Sequence, residues 1–276
     1  MASGAEPFAL NHMTAPKLRP AEFFALARNL GIIEVEIRND LAGNAILDGS
    51  SAASVRDEAQ RAGVGILSIN ALQRFNEWTA ARASEAEELA DYAAGAGARA
   101  LVLVPRNDGD GRDDGERLPN LIEALQGLKP ILSDRGLIGL VEPLGFEVCS
   151  LRLKSEAVAG IDAVDGAQTF KLVHDTFHHH LAGEAALFPN RTGLVHISGV
   201  DDASVSVPDM RDSHRGLVGA NDRLGNIAQI KALRAGGYAG ALSFEPFAES
   251  IQKMDARQIQ DRLAASMALI ATRLAS

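Results

Sequence analysis

Leu172-Val173-His174-Asp175-Thr176-Phe177-His178-His179-His180 begins as a short apolar run and stops at a cluster of groups able to hold a metal. A buried parallel strand reads as such a run, and in a barrel of these strands chemistry gathers where they end. Side chains alternate faces along a strand, so His174 and Asp175 cannot both point inward while the strand stays regular. One of the two is therefore the candidate ligand. The competing reading makes Asp175 the cap of the next helix and leaves the three following histidines on a solvated loop.

The same alternation of apolar runs and helical patterns extends in both directions. Residues 8–13 read as a first strand, and Pro20 opens an amphipathic helix with Phe23, Phe24, Ala27 and Leu30 at helical spacing. Residues 32–37 form a second strand with Glu34 and Glu36 on one face, one of which could reach the ligand end, and with Arg38 at the mouth. Ser50 and Ser51 are candidate caps for a helix closed by Gly63. Residues 65–71 make strand three, with Asn70 near its end, and the loop beyond carries Arg74, Phe75, Asn76 and Trp78. Strands four (100–104), five (138–141), six (170–174), seven (194–197) and eight (241–244) alternate with further helices, one bent at Pro130. Residues 198–225 form a long irregular stretch of the kind that serves as a lid or binding loop.

Eight apolar strands alternating with helices predict parallel βαβ units closed as a single-domain α/β (β/α)8 TIM barrel over residues 1–276. An open doubly wound sheet is the alternative. The Gly-x-Gly-x-x-Gly turn of dinucleotide-binding sheets follows none of the early strands, which disfavours it.

Once the strands are placed, Glu142, Asp175, His196 and Glu245 fall at or within a residue of the carboxyl ends of strands five to eight. Consecutive staves are neighbours, so these side chains can converge. Pro143 fixes Glu142 at the end of its strand. Three carboxylates and an imidazole crowded together repel one another and desolvate poorly without a cation, and a divalent metal resolves the conflict. Oxygen-rich ligation with one His leans toward Mn, Mg or Co, with Zn also accommodated. Taken singly, each carboxylate could pair with an Arg and His196 could be a satisfied core histidine; their joint occurrence favours the ion. Arg215 in the long loop could hold substrate oxygens, and His178 could orient substrate. His179 and His180 are expected to face solvent or cap backbone.

The 276 residues carry 36 Asp and Glu against 27 Lys and Arg, a formal net charge of −9, which disfavours a nucleic-acid partner because that binding relies on clustered cations. A small, uncharged substrate fits better. The single cysteine, Cys149, excludes an intramolecular disulfide and lacks the pattern of a nucleophile. The first thirteen residues lack the basic and apolar regions of a signal peptide, and no run approaches the ~20 apolar residues of a membrane span. The expectation is a cytoplasmic globular protein with no membrane contact; a homo-oligomer is compatible with it.

The four strand-end residues, Asn70-Ala71-Leu72 through Phe75-Asn76, Leu172 through His178, and Glu245-Pro246-Phe247 together resemble the xylose-isomerase-like barrel superfamily of sugar isomerases and epimerases. Within it the chain is most similar to the inosose (2-keto-myo-inositol) isomerases. The resemblance implies metal ligation by Glu142, Asp175, His196 and Glu245, and substrate binding by His178 and Arg215; the amide of Asn70, near the end of strand three, is a further candidate for substrate contact. Two positions depart from the family pattern. Ser198-Gly199 stands where an acidic residue usually follows the strand-seven histidine, and Gly219-Ala220-Asn221 replaces a Gly-x-Gly turn.

The implied activity is a metal-dependent isomerisation or epimerisation of a cyclic polyol ketone or ketose. The metal would chelate the ketone oxygen and a neighbouring hydroxyl, and Glu142 and Glu245 would move a proton through an enediolate. The alternatives are an inosose dehydratase or related lyase and a non-catalytic sugar-binding barrel. A DNA-repair endonuclease with the same fold uses several zinc ions and histidines from early strands, where Asn70-Ala71-Leu72 offers no ligand.

Overall fold

A computed structural model describes residues 6–276. Its strands are β1 (Phe8–Asn11), β2 (Glu34–Arg38), β3 (Gly65–Gln73), β4 (Ala100–Val104), β5 (Ile138–Val141), β6 (Phe170–Asp175), β7 (Thr192–Ile197) and β8 (Leu242–Phe244). Each pairs in parallel with the next, and β1 closes on β8 through Leu10 and Phe244. The helices are α1 (Pro20–Asn29), α2 (Ala52–Ala62), α3 (Ala80–Ala96), α4 (Arg117–Ser133), α5 (Lys154–Ala163), α6 (Thr176–Ala182), α7 (Asn226–Ala235), α8 (Glu249–Gln252) and α9 (Ala256–Ala275). The expected (β/α)8 barrel is the fold found, and residues 1–5 of the expected single domain lie outside the described residues.

Local chemistry sets the element ends. Ser51 and Thr79 accept from the backbone N–H groups of Ser54 and Arg82, and α2 and α3 end at Gly63 and Gly97 in the left-handed region, where the absence of a Cβ removes the steric penalty. Several element ends shift by one or two residues from the sequence reading, and three local differences stand out. The first strand stops at Asn11 because its side chain accepts from Met13 N and folds residues 12–14 into a 3₁₀ turn. The helix expected to run through Pro130 to Arg135 does pass Pro130, but α4 ends at Ser133. The residues after Asp175 are not a solvated loop: Asp175 ends β6 and α6 starts at once, with His178 buried and His179 and His180 half-buried.

Alternation along the strands makes two cores. Residues such as Leu10, Val35, Ile37, Leu101, Leu103, Val141, Leu172, Val195 and Phe244 face the helices in a continuous outer layer. Inside the barrel, Ala71, Ala100, Val102, Leu140, Val173 and Leu194 form a second apolar cluster. The lumen beside β1, β2 and β8 is polar, with buried Asn11, Glu36, Ser68 and Ser243. Gly139 on β5 is required by close approach, since a Cβ there would stand 2.6 Å from the Phe170 ring and 2.8 Å from Leu132.

β6 decides between His174 and Asp175. His174 turns outward, where its Nδ1 lies 3.1 Å from Lys154 Nζ and its Nε2 lies 2.8 Å from Gln229 Oε1. Lys154 Nζ is also 2.7 Å from His179 Nδ1, so His179 is neither solvent-facing nor a backbone cap as expected. This ammonium is almost fully buried, and burial lowers Lys154 from 10.5 to about 8.

Gly139→Ala is expected to destabilise the barrel by about 1–3 kcal/mol through overpacking, measured as a lower denaturant midpoint with unchanged slope. For Lys154, the unfolded chain holds its proton to higher pH than the folded one, so unfolding takes up protons between pH 8 and 10.5 and stability rises with pH across that window, by about 3 kcal/mol at most. Denaturant unfolding of the chain and of Lys154→Met at both pH values checks this. The increment should be missing from the variant.

Candidate metal centre and active site

The carboxyl ends of β5 to β8 carry four side chains to one point. Ligand atoms from Glu142, Asp175, His196 and Glu245 all lie within 4.8 Å of one another, and all four residues are buried. His196 Nδ1 is 3.1 Å from Glu142 Oε1, 3.3 Å from Glu245 Oε2 and 3.9 Å from Asp175 Oδ2. The sequence thus brings its predicted ligand set together.

Each of the four side chains is fixed by its own local chemistry. Glu142 N still donates to Leu103 O of β4, and Glu245 N to Ile197 O of β7; a proline follows each, which ends the ladder and leaves the carboxylate at the rim. Asp175 caps the next helix, as one reading of its sequence context has it, and also faces the cluster. Its Oδ1 caps α6 by accepting from Phe177 N at 2.7 Å and His178 N at 3.1 Å, while its Oδ2 faces the cluster.

Arg215 reaches the same point from the long loop. It is 1% exposed, and its guanidinium donates to Asp175 Oδ2 at 2.6 Å, Glu245 Oε2 at 3.0 Å, Asp212 Oδ1 at 3.0 Å and Ser198 Oγ at 3.1 Å. It lies over the ring of Phe247 and against that of Phe177. The loop is not free here. Gly199 and Gly216 exchange both backbone hydrogen bonds, and Arg215 O accepts from Phe247 N and Ala248 N. A Cβ at position 199 would lie 2.6 Å from Leu217 O, which accounts for a glycine in the Ser198-Gly199 departure.

The electrostatics of the carboxylates diverge. Burial pushes Glu142 up, and neighbouring Glu245 and Asp175 add to this against the opposing pull of His196. Burial acts on Glu245 in the same sense, but His196, Arg215 and Arg38 outweigh it and hold this carboxyl well below the usual range. Glu245 Oε1 accepts from Arg38 at 3.0 Å and Asn11 at 3.2 Å, and Oε2 accepts from Arg215. His196 is penalised by burial as a cation, yet Glu245, Glu36 and Glu142 raise it well above its ordinary value. An oxygen-rich set of three carboxylates and one imidazole, converging under mutual repulsion, fits a divalent cation.

The cluster lies at one side of a cavity of about 410 Å³ lined by Arg38, Asn70, Glu142, His178, Arg215 and Glu245 among others. His178 Nδ1 is buried and without a hydrogen-bond partner, and its ring stands edge-on to Phe146 at 5.1 Å. Asn70 lines the cavity too, but its Nδ2 is committed to Glu36 Oε2 at 2.6 Å. The loop aromatics after Asn70 cover core: Phe75 is fully buried and Trp78 packs over Gly127. Phe146 and Phe247 are the rings that meet the cavity. Glu36, Arg38, Asn11 and Ser243 also belong to the site; the only sequence signal for them is the alternation that puts Glu36 and Arg38 on one face of β2.

The described residues hold no helix long and apolar enough to cross a membrane. A comparison with curated proteins found no match. Among solved structures, a xylose isomerase domain containing protein (stm4435) from Salmonella typhimurium LT2 is 34% identical, with 98% of this chain and 99% of that chain covered and a TM-score of 0.90. The IolI protein with a bound zinc atom is 20% identical, covering 97% and 99% at a TM-score of 0.86. A D-psicose 3-epimerase with D-tagatose from Clostridium cellulolyticum H10 is 14% identical, covering 97% and 99% at a TM-score of 0.75. The sequence itself matches the Xylose isomerase-like TIM barrel family over residues 24–270, and this chain belongs to that family.

Proposed function

We propose that this chain is a divalent-metal-dependent isomerase or epimerase of a cyclic polyol ketone such as an inosose, or of a ketose. The observation that carries the reading is the convergence of Glu142, Asp175, His196 and Glu245 beside a polar cavity at the carboxyl end of the barrel. These four residues would hold the ion, which when bound supplies Lewis-acid polarisation of the ketone and the neighbouring hydroxyl.

The chain's own groups divide the remaining work. Glu142 has a single close partner, His196, and faces the cavity, so its carboxylate is free to take the proton from the carbon beside the ketone. Glu245 is held by Asn11, Arg38 and Arg215, which fixes it on the opposite side of the proton's path, to return the proton at the second carbon. Arg215 and His178 would orient substrate oxygens, and the unpartnered Nδ1 of His178 is available for one such bond. Asn70 would add polar contact from β3. Proton transfer between adjacent carbons in a polar cavity needs no nucleotide, and the similar D-psicose 3-epimerase, solved with D-tagatose, agrees with a small polyol as the substrate class.

Proton NMR of 2-keto-myo-inositol in heavy water, with the enzyme and a diamagnetic divalent metal, tests the reading. Deuterium should enter beside the ketone and a positional or stereoisomer accumulate; water loss would mark a dehydratase instead, and an unchanged spectrum would remove inososes from the substrates. Glu142→Gln should fold normally and slow the exchange by about 10²–10⁴-fold. Stripping metal with a chelator should lower the melting temperature. Returning the ion at ~100 times its dissociation constant should restore about 2.7 kcal/mol, or roughly 5–10 °C for a chain of this size.

A further inference from the structure

Glu36 lies behind the cluster and would touch neither ion nor substrate, yet it is fully buried and engaged on both oxygens. Oε2 accepts from Ser68 Oγ and Asn70 Nδ2, each at 2.6 Å, and Oε1 accepts from Ser243 Oγ. His196 Nε2 stands 3.1 Å from Oε1 and 3.2 Å from Oε2. Donors from β3 and β8 thus lock a carboxylate on β2 against one nitrogen of a ring on β7. Its neighbour on the same face, Glu34, pairs with Arg99.

We infer that Glu36 is a positioning residue that keeps the hydrogen of His196 on Nε2 and turns the Nδ1 lone pair toward Glu142, Asp175 and Glu245. The inference rests on the metal-centre reading above and deepens it. A metal-binding imidazole is neutral, carrying its hydrogen on one nitrogen and accepting at the other, and only the bare nitrogen can ligate a cation; the ion takes the place of the second hydrogen that the surrounding carboxylates would otherwise hold on His196. A carboxylate has no hydrogen to offer, so against Glu36 the ring nitrogen must be the donor. Nδ1 is then the ligand atom, and it is the atom within 3.9 Å of all three carboxylates. Ser68, Asn70 and Ser243 keep the carboxylate from rotating away, which gives a physical role to polar groups in an otherwise apolar barrel interior.

Glu36→Gln separates this role from bulk. The two donors at Oε2 seat the amide oxygen of the glutamine there, which leaves its NH₂ on the Oε1 side, facing His196 Nε2. The Ser243 hydroxyl can turn to accept, but the amide hydrogens now oppose the Nε2 hydrogen. That hydrogen is left only the longer contact to the amide oxygen, 3.2 Å at the Oε2 position, or passes to Nδ1, where it blocks ligation. The expected result is a loss of zinc affinity of about 10–100-fold by calorimetry, with folding retained by circular dichroism. In ¹⁵N-histidine spectra of the zinc-loaded proteins, His196 Nδ1 should change from a metal-bearing nitrogen to an N–H. Equal zinc affinity in the two proteins, within about twofold, with unchanged Nδ1 signals overturns the Glu36 role and leaves the metal centre standing. Zinc that fails to bind the unaltered chain overturns the centre and the role of Glu36 with it. Should Glu36→Gln not fold, Ser243→Ala decides: it frees Oε1 alone and should weaken zinc by about tenfold, the lower end of such effects, whereas unchanged affinity refutes the inference.

Discussion

Three carboxylates, those of Glu142, Asp175 and Glu245, are forced together at the end of the barrel with little water to screen them, and much of the polar interior serves to make that tolerable. Isolated buried carboxylates would protonate or separate. Here Arg38 and Arg215 supply charge from the rim, His196 supplies a ring between them, and Glu36 balances the far side of that ring. The barrel makes the arrangement possible because its closed sheet holds the strand ends rigidly apart from any alternative pairing, so the like charges cannot relax by moving away.

The barrel interior is accordingly split. On the β3 to β7 side, small and branched apolar residues fill the lumen, as close packing requires. On the β1, β2 and β8 side the lumen holds Asn11, Glu36 and Ser243, each satisfied by hydrogen bonds to another strand. A buried polar network of this kind is tolerable only when its members are paired. These bonds tie the strands across the barrel, so the same contacts that satisfy the network also set the orientation of His196 and Glu245.

Asp175 and Arg215 connect this floor to α6 and to the long loop after β7. Asp175 divides its two oxygens between the first turn of α6 and the cluster, so the start of that helix and the cluster share one support. Arg215 is supplied by an irregular segment, but a two-glycine bridge and the backbone after β8 anchor it, so the loop delivers a fixed guanidinium.

The eight-strand barrel and the four converging side chains were legible from the chain because strand periodicity, Glu-Pro steps and the stop at Asp175 are local signals. The closing of β1 on β8 follows from the count of those strands. Alternation narrowed the choice between His174 and Asp175 but could not make it. The direction of β6 was decided by packing, which gave His174 the buried amine of Lys154 and Gln229 as partners on the outer face. Glu36 was visible only as an acid on the face of Arg38, since its value as a partner for His196 depends on a contact between β2 and β7, strands far apart in sequence. Likewise the aromatics of the cavity are Phe146 and Phe247 rather than the nearer Phe75 and Trp78, because the outer layer had already taken the latter pair into its core. Sequence fixes which residues sit on which face of each strand through a two-residue repeat; which faces meet, and at what distance, is set only when the sheet closes on itself.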